Sequence, residues 1–424
     1  MKEQKTRKIQ QAGTLDANVS VPPSKSYTNR ALIAAALADG PSTLIQASRS
    51  DDSEFLISAL KQFGIAIERT NDDLEVSGTA GELSPPDIEV YVGNAGTAMR
   101  FLATFACLAH GESTLTGDEQ MKKRPLTDLL QALHSAGIKT SSENGYPPVK
   151  IIGGNFQGGR IDIKGEISSQ FVSSLLLSSP YAKHPVSICV QGKMSSSPYI
   201  DMSLHVMRSF GGNVDTLSPS VFAVSNRDRY IGRTFTIEGD ASSATYFLAA
   251  AAITQGRVVI GNLSDESLQG DLRFLKVLAD MGCSVVHHED TIELIGGKLF
   301  GIEADMNELP DCVPTLAVLG AFAKGQTAIT NIAQLKFKET NRLAALSTEL
   351  TKLGAEVELY EDGLTIHPRP LHGASISTYN DHRMAMSFAV AGLSVPGIII
   401  ENPACVSKSF PNFWEEFSKL EGRK

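Results

Sequence analysis

The sequence predicts an α/β protein of two domains, assembled from six copies of one repeated unit. Three observations lead there. An apolar helix ending in a small turn recurs as "RALIAAALADG", "MRFLATFACLAHG", "QFVSSLLLSSPYAKH", "ATYFLAAAAITQG", "TLAVLGAFAKG" and "RMAMSFAVAGLSVPG". Its marker residues, Gly40, Gly111, His184, Gly256, Gly325 and Gly397, stand roughly seventy residues apart, the spacing of a repeat architecture. Finally, a chain of 424 residues is too long for one hydrophobic core and suits two.

Within each unit a second, amphipathic helix closes at Gly64, Gly137, Gly211, Gly282, Gly354 or Gly422, as in "SEFLISALKQFG" and "LRFLKVLADMG". Alternating strand, turn and strand follow, as in "IAIERTNDDLEVSG", "CSVVHHEDTIELIGG" and "AEVELYEDGLTIHP". The unit is therefore helix, strand, helix, strand, strand. The sixth copy stops at Lys424 without its last strand pair, whereas "KIQQAGTLDANVSV" precedes any helix. Residues 1 to about 20 are expected to complete the last unit by covering strands otherwise left open. This places three units in a domain over 21–237 and three in a domain of 1–20 plus 238–424, with a hinge near 20–22 and 237–240.

A hydrophobic fraction of 42% with 20% charged residues describes a folded globular chain. The net charge of −9 argues against nucleic-acid binding, which needs a basic face. Cys107, Cys189, Cys283, Cys312 and Cys405 are odd in number and scattered, with no Cys-x-x-Cys pair, which favours a reducing, cytoplasmic setting. "MKEQKTRKIQQAG" lacks the apolar core of a signal peptide, and the longest apolar run, 247–253, is too short to cross a bilayer. The adjacent His287 and His288 fall at a hairpin turn and do not match a metal-binding pair.

The starts of the apolar helices carry unusual chemistry: "SKSYTNR", "GNAGTAMR", "GEISSQF", "EGDASSAT", "LPDCVPT" and "YNDHRMAM". Ser26, Asn94, Ser168, Asp240, Asp311 and Asp381 can serve as N-caps, with Thr28 and Asn29 as alternatives in the first unit. Capping leaves Lys25, Arg30, Arg100 and Arg383 unexplained, because a helix N-terminus is already positive. Open backbone N–H groups reinforced by Lys and Arg make anion sites. If the repeats bring these ends to one cleft between the domains, the cleft binds a ligand with phosphate and carboxylate groups. "MKKRPL", "KFKETNR" and "VSKSF" add cations that could equally be solvated surface, and Glu339 within "KETNR" could serve as a cap. "GNAGTAMR" matches neither the Walker loop nor G-x-G-x-x-G, so ATP and NAD find no support.

Taken in order, "SKSYTNRAL", "GNAGTAMR", "MKKRPL", "SSQF", "SPYID", "GDASSAT", "LPD", "KETNRL" and "NDHRMAM" closely resemble the enolpyruvyl transferase family, in its branch that acts on shikimate 3-phosphate. The resemblance covers nearly the whole chain. It implies two domains of three βαβαββ units each, every domain an inside-out α/β barrel. It implies a monomer that transfers the carboxyvinyl group of phosphoenolpyruvate to the 5-hydroxyl of shikimate 3-phosphate, through a tetrahedral intermediate and with release of phosphate. This is a step in the shikimate pathway of aromatic amino acid biosynthesis. No metal or organic cofactor is implied.

By the same resemblance Ser26 and Arg30 hold the shikimate carboxylate, and Ser168, Ser169, Ser196 and Lys338 its phosphate, with Lys25, Gln170, Tyr199, Asp311 and Gln334 completing that pocket. Phosphoenolpyruvate falls to Lys25, Arg124, Arg342, Arg383 and Lys408, with Asn94, Gly96, Gln170 and His382 beside it. Asp311 is the implied base for the 5-hydroxyl, and Glu339 the acid for the methylene carbon, with Lys25 assisting. A side chain at position 96 is expected to crowd phosphoenolpyruvate and the inhibitor glyphosate. The chain departs from the common pattern at Asn341 for aspartate, Gln334 for asparagine, Pro23 for glycine and Phe101 for proline. The sister branch that uses UDP-N-acetylglucosamine carries a reactive cysteine in the loop matching "DEQMKKRPL", where this chain has none. A binding protein without catalysis is the other alternative, and it gains nothing from Asp311 and Glu339.

Overall fold

The computed structural model describes residues 5–288 and 290–422. Backbone contacts divide the chain into one unit over 23–238 and another comprising 5–22 with 239–422. Helices alternate along the chain in pairs: α1 (Lys25–Leu37) and α2 (Asp51–Gln62), α3 (Gly96–Phe105) and α4 (Thr127–Ser135), α5 (Ser169–Ser178) and α6 (Pro198–Ser209). The second unit continues with α7 (Ala241–Thr254) and α8 (Phe274–Asp280), α9 (Val313–Phe322) and α10 (Arg342–Lys352), α11 (His382–Gly392) and α12 (Phe413–Ser418). None of the described helices is long and apolar enough to cross a membrane.

The first helix of each pair is the apolar one, and it lies at the centre. In one unit α1, α3 and α5 pack on each other, and in the other α7, α9 and α11 do so. Every residue of α3 and of α11 is buried, as expected of helices with no polar face. The repeat spacing reappears here as contact between equivalent positions. Thr104 Oγ1 lies 2.6 Å from Ser174 Oγ, and Thr315 Oγ1 lies 3.4 Å from Thr245 Oγ1 and 3.3 Å from Ser387 Oγ. Hydroxyls without access to water need partners, and the three-fold arrangement supplies each from its neighbour.

Strands lie outside the central helices. In the second repeat Val90–Tyr91 runs parallel to Glu112–Thr116, which pairs antiparallel with Tyr146–Ile152, and that strand pairs with Lys139–Glu143. Alternate residues of Tyr146–Ile152 are buried, so one face of the sheet covers the helices and the other meets solvent. Five four-stranded sheets and one three-stranded sheet follow this plan among the described residues, each open and none closed into a barrel. The arrangement is inside out, with helices central and strands peripheral.

The N-terminal segment does something the sequence reading assigned only in part. Thr6–Lys8 pairs antiparallel with Ile399–Glu401 and completes the sixth sheet as expected. Asp16–Ser20 instead runs parallel to Arg257–Gly261 as the leading strand of the fourth repeat. The reason is an exchange: Thr234–Thr236, which precedes α7 in the chain, runs parallel to Pro41–Ile45 in the first repeat. Each unit thereby fills a sheet edge that its own chain order leaves open.

Most of the marker glycines have left-handed backbone, as Gly64 after α2 with φ 90° and Gly40 after α1 with φ 86°, whereas after α7 it is Gln255, just before Gly256, that is left-handed. A Cβ at Gly40 would meet no atom within 4 Å, so an alanine there carries only the backbone penalty. Gly40→Ala is expected to lower stability by about 1 kcal/mol, seen as a lower urea midpoint at unchanged m-value.

Candidate active site

In the unit over 23–238 the decisive residue is Arg30, only 1% exposed on α1. Its Nε donates to Ser203 Oγ at 2.8 Å, Nη1 to the Ser26 carbonyl at 2.9 Å, and Nη2 to the Tyr199 carbonyl at 2.9 Å and Ser173 Oγ at 3.4 Å. The rings of Phe101 and Tyr199 lie 5.4 and 5.9 Å from the guanidinium carbon. All four hydrogen-bond partners are neutral, and one N–H of Nη1 remains uncommitted among the described residues. Burial works against the charge and lowers the Arg30 pKa to about 10. A cation enclosed in this way is set up for an anion.

Ser24, not Ser26, Thr28 or Asn29, caps α1, accepting from the Tyr27 N–H at 3.4 Å. The helix starts at Lys25, one residue after the cap, so the three expected candidates lie inside it. Thr28 and Asn29 instead accept from the Ser48 N–H at 3.0 Å and Ser53 Oγ at 2.9 Å. Lys25 Nζ reaches Asp52 Oδ2 at 3.1 Å, and Asp52 is itself buried.

The start of α3 has no side-chain cap. Asn94 accepts from Arg124 Nη1 at 3.2 Å and donates to Gln120 Oε1 at 2.6 Å, while Arg100 Nη1 donates to the Gly96 carbonyl at 3.0 Å. A Cβ on Gly96 would fall 2.6 Å from Arg100 Nη1 and 2.7 Å from Arg124 Nη2. Lys122 of the same segment pairs with Glu119 at the surface, whereas Arg124 is buried, so "MKKRPL" is part solvated face and part site. Ser168 does cap α5, accepting from the Gln170 N–H at 3.2 Å, and Gln170 Nε2 donates to Thr97 Oγ1 at 3.2 Å. Ser169 and Ser196 are buried, Ser196 in left-handed backbone with φ 57° and its Oγ 3.3 Å from Ser195 Oγ. Neither they nor Ser168 bond to Arg30.

In the other unit Asp240 and Asp381 cap α7 and α11, accepting from the Ser243 and Arg383 N–H groups. Asp311 is no cap, because the 3₁₀ turn Pro310–Cys312 separates it from α9. Its carboxylate accepts from Arg342 Nη1 at 3.1 Å and Arg383 Nη2 at 2.7 Å. Arg342, 1% exposed, also donates to Asp381 through Nε at 2.8 Å and to Glu339 through Nη2 at 2.7 Å. Burial opposes its charge, but Asp381, Glu339 and Asp311 outweigh that and push its pKa above the ordinary arginine value. Lys408 Nζ lies 3.7 Å from Glu339, and Arg383 donates to Tyr246 OH at 3.1 Å and Ser242 Oγ at 3.2 Å.

The cap of α10 is Asn341, which accepts from the Ala344 N–H at 3.2 Å; asparagine and aspartate cap equally well, which accounts for that departure from the family pattern. Glu339 is therefore not the cap of α10. His382 Nδ1 lies 3.6 Å from Asp381 Oδ1, Lys338 is partly exposed, and Gln334 is buried with Nε2 lacking a hydrogen-bond partner among the described residues. Asp52, Thr97, Ser173, Ser203, Ser242 and Tyr246 escaped the sequence reading. Thr97 in "GNAGTAMR" and Ser242 in "GDASSAT" lie within the helix-start motifs; the others sit in runs that read as ordinary helix.

The family model of EPSP synthase (3-phosphoshikimate 1-carboxyvinyltransferase) matches residues 9–417. The chain belongs to that family. A 3-phosphoshikimate 1-carboxyvinyltransferase of Trichormus variabilis is 43% identical over 96% of this chain and 97% of the relative. One from Methanospirillum hungatei is also 43% identical, over 97% of both. The structure of EPSP synthase from Acinetobacter baumannii aligns with a TM-score of 0.83 at 27% identity, covering 99% of each chain. Membership of the EPSP synthase family and the six-repeat fold thus rest on full-length agreement in both sequence and structure.

Arg30 and Arg342 should respond differently to loss of charge. Arg342→Met strands three carboxylates and is expected to cost about 3–5 kcal/mol. Arg30→Met removes a cation that has only neutral partners and is expected to change stability by about 1 kcal/mol or less. Urea unfolding of the two variants checks this; equal losses would contradict it.

Proposed function

We propose that this chain transfers the carboxyvinyl group of phosphoenolpyruvate to the 5-hydroxyl of shikimate 3-phosphate, releasing phosphate, in aromatic amino acid biosynthesis. One observation supports this above the rest: Asp311 and Glu339, the carboxylates needed as base and acid, both bond to Arg342 within a cluster that also holds Arg383 and Lys408. By the same reading the chain works in the cytoplasm, which its five scattered cysteines, with no Cys-x-x-Cys pair, favour.

In this reading Arg30 and Ser26 take the shikimate carboxylate, and Ser168, Ser169, Ser196 and Lys338 its phosphate. By the family resemblance Tyr199, Gln170, Gln334 and Asp311 also serve that substrate. Arg124, Arg342, Arg383, Lys408 and Lys25 take phosphoenolpyruvate, with Asn94, Gly96, Gln170 and His382 beside it. Anionic oxygens of the substrate compete for Arg342, Arg383 and Lys408 and release the carboxylates those cations hold. Asp311 then accepts the proton of the attacking 5-hydroxyl as its oxygen bonds to C2 of phosphoenolpyruvate. Glu339 delivers a proton to the methylene carbon, and the cations steady the negative charge of the tetrahedral adduct. Glu339 then takes back a methyl proton, and phosphate leaves with the proton held by Asp311, which restores the vinyl group.

The test is phosphate release from phosphoenolpyruvate by the purified chain. Release that requires shikimate 3-phosphate is expected; release without it, or none with it, would sink the proposal. Asp311→Asn and Glu339→Gln should each lower kcat by about 10²–10⁴-fold. Gly96→Ala should raise KM for phosphoenolpyruvate and weaken glyphosate inhibition, because its methyl displaces the guanidinium groups of Arg100 and Arg124 and not backbone.

A further inference from the structure

Glu349 on α10 is a carboxylate with no solvent exposure, and none of the roles above uses it. Its Oε1 accepts from Tyr379 OH at 2.7 Å and its Oε2 from the Ser377 backbone N–H at 3.1 Å, while Lys352 Nζ lies 2.9 Å from both oxygens. Sequence alone presents it as an ordinary acid on an amphipathic helix. Burial of a carboxylate is expensive, and here all its partners but one lie in a single turn of chain, 377–379.

That turn leads straight into the site. Tyr379 and Asn380 are consecutive residues in left-handed backbone, with φ 54° and 56°, a conformation that asparagine adopts readily and tyrosine rarely. The next residue is Asp381, which caps α11 through the Arg383 N–H and receives Arg342 Nε at 2.8 Å. Its own N–H is bonded to the Thr378 carbonyl at 2.8 Å. Arg342 and Glu349 are seven residues apart on α10 and so lie on one face of the helix, two turns apart. The helix therefore grips the turn at two points, through Glu349 at its start and through Arg342 at its end.

We propose that Glu349 is a positioning residue for the phosphoenolpyruvate arginines: by fixing 377–379 it sets Asp381 where it orients Arg342 and the start of α11 that bears Arg383. Tyr379 OH is its main instrument. The inference rests on the proposed function for its kinetic consequence but not for its structural one.

Two variants and two readouts test it. Tyr379→Phe removes the hydroxyl that reaches Glu349 from an exposed side chain and is expected to leave the fold intact; Glu349→Gln places an amide N–H₂ where the Ser377 N–H or Lys352 needs an acceptor. Expected are a KM for phosphoenolpyruvate raised several-fold in Tyr379→Phe and about ten-fold or more in Glu349→Gln, with KM for shikimate 3-phosphate changed less than two-fold. Amide exchange across 377–383 should quicken in Tyr379→Phe at unchanged urea midpoint. Unaltered exchange in that segment, or equal changes in both KM values, would overturn the proposal. Should the wild-type chain show no turnover, the proposed function falls, and the exchange measurement still decides whether Glu349 holds the turn.

Discussion

A helix buried on every side can offer polar groups only at its ends, and the structure depends on that constraint. The central helices α3 and α11 have no exposed residue, so their backbone N–H groups and the side chains of their first turns carry all the polarity they can present. The few hydroxyls along their lengths meet one another, as Thr245, Thr315 and Ser387 do. Chemistry is thereby driven to the helix starts, and six repeats supply six of them.

The two units solve the charge problem at those starts in opposite ways. Around Arg342 the cations Arg383 and Lys408 are matched by Asp311, Glu339 and Asp381, a cluster that is satisfied on its own. Satisfaction of that kind holds the side chains still relative to one another. Arg30 has carbonyls, hydroxyls and aromatic faces about it and no carboxylate bonded to it. Neutral partners preserve its full charge for a ligand, at the cost of a depressed pKa. In the proposed function the first arrangement serves reaction and the second recognition.

Much of this was legible in the sequence because repetition amplifies weak signals. Any single apolar run ending in glycine is ambiguous, but six at a common spacing fix the helices, their order and the grouping by three. Cations at capping positions were conspicuous for the same reason, since neither capping nor the helix dipole calls for them. What remained hidden were partners chosen by three-dimensional adjacency. Asp16–Ser20 joins the fourth repeat because of an exchange with Thr234–Thr236, which local pattern cannot express. Asp311 looks like a cap until a 3₁₀ turn displaces it, and Ser24 replaces Ser26 by two residues, within the error of any reading from propensity. Tyr246, Asp52 and Glu349 carry no local sign of their contacts, for each lies in a helix whose pattern is already explained by packing.

The most direct test of the account is calorimetric titration of shikimate 3-phosphate, without phosphoenolpyruvate, into the wild-type chain and into Arg30→Met. If Arg30 is a cation kept for the substrate carboxylate, the wild type binds and the variant, still folded, loses at least ten-fold in affinity. Equal affinity in the two would show that Arg30 is a structural residue and that the anion is recognised elsewhere.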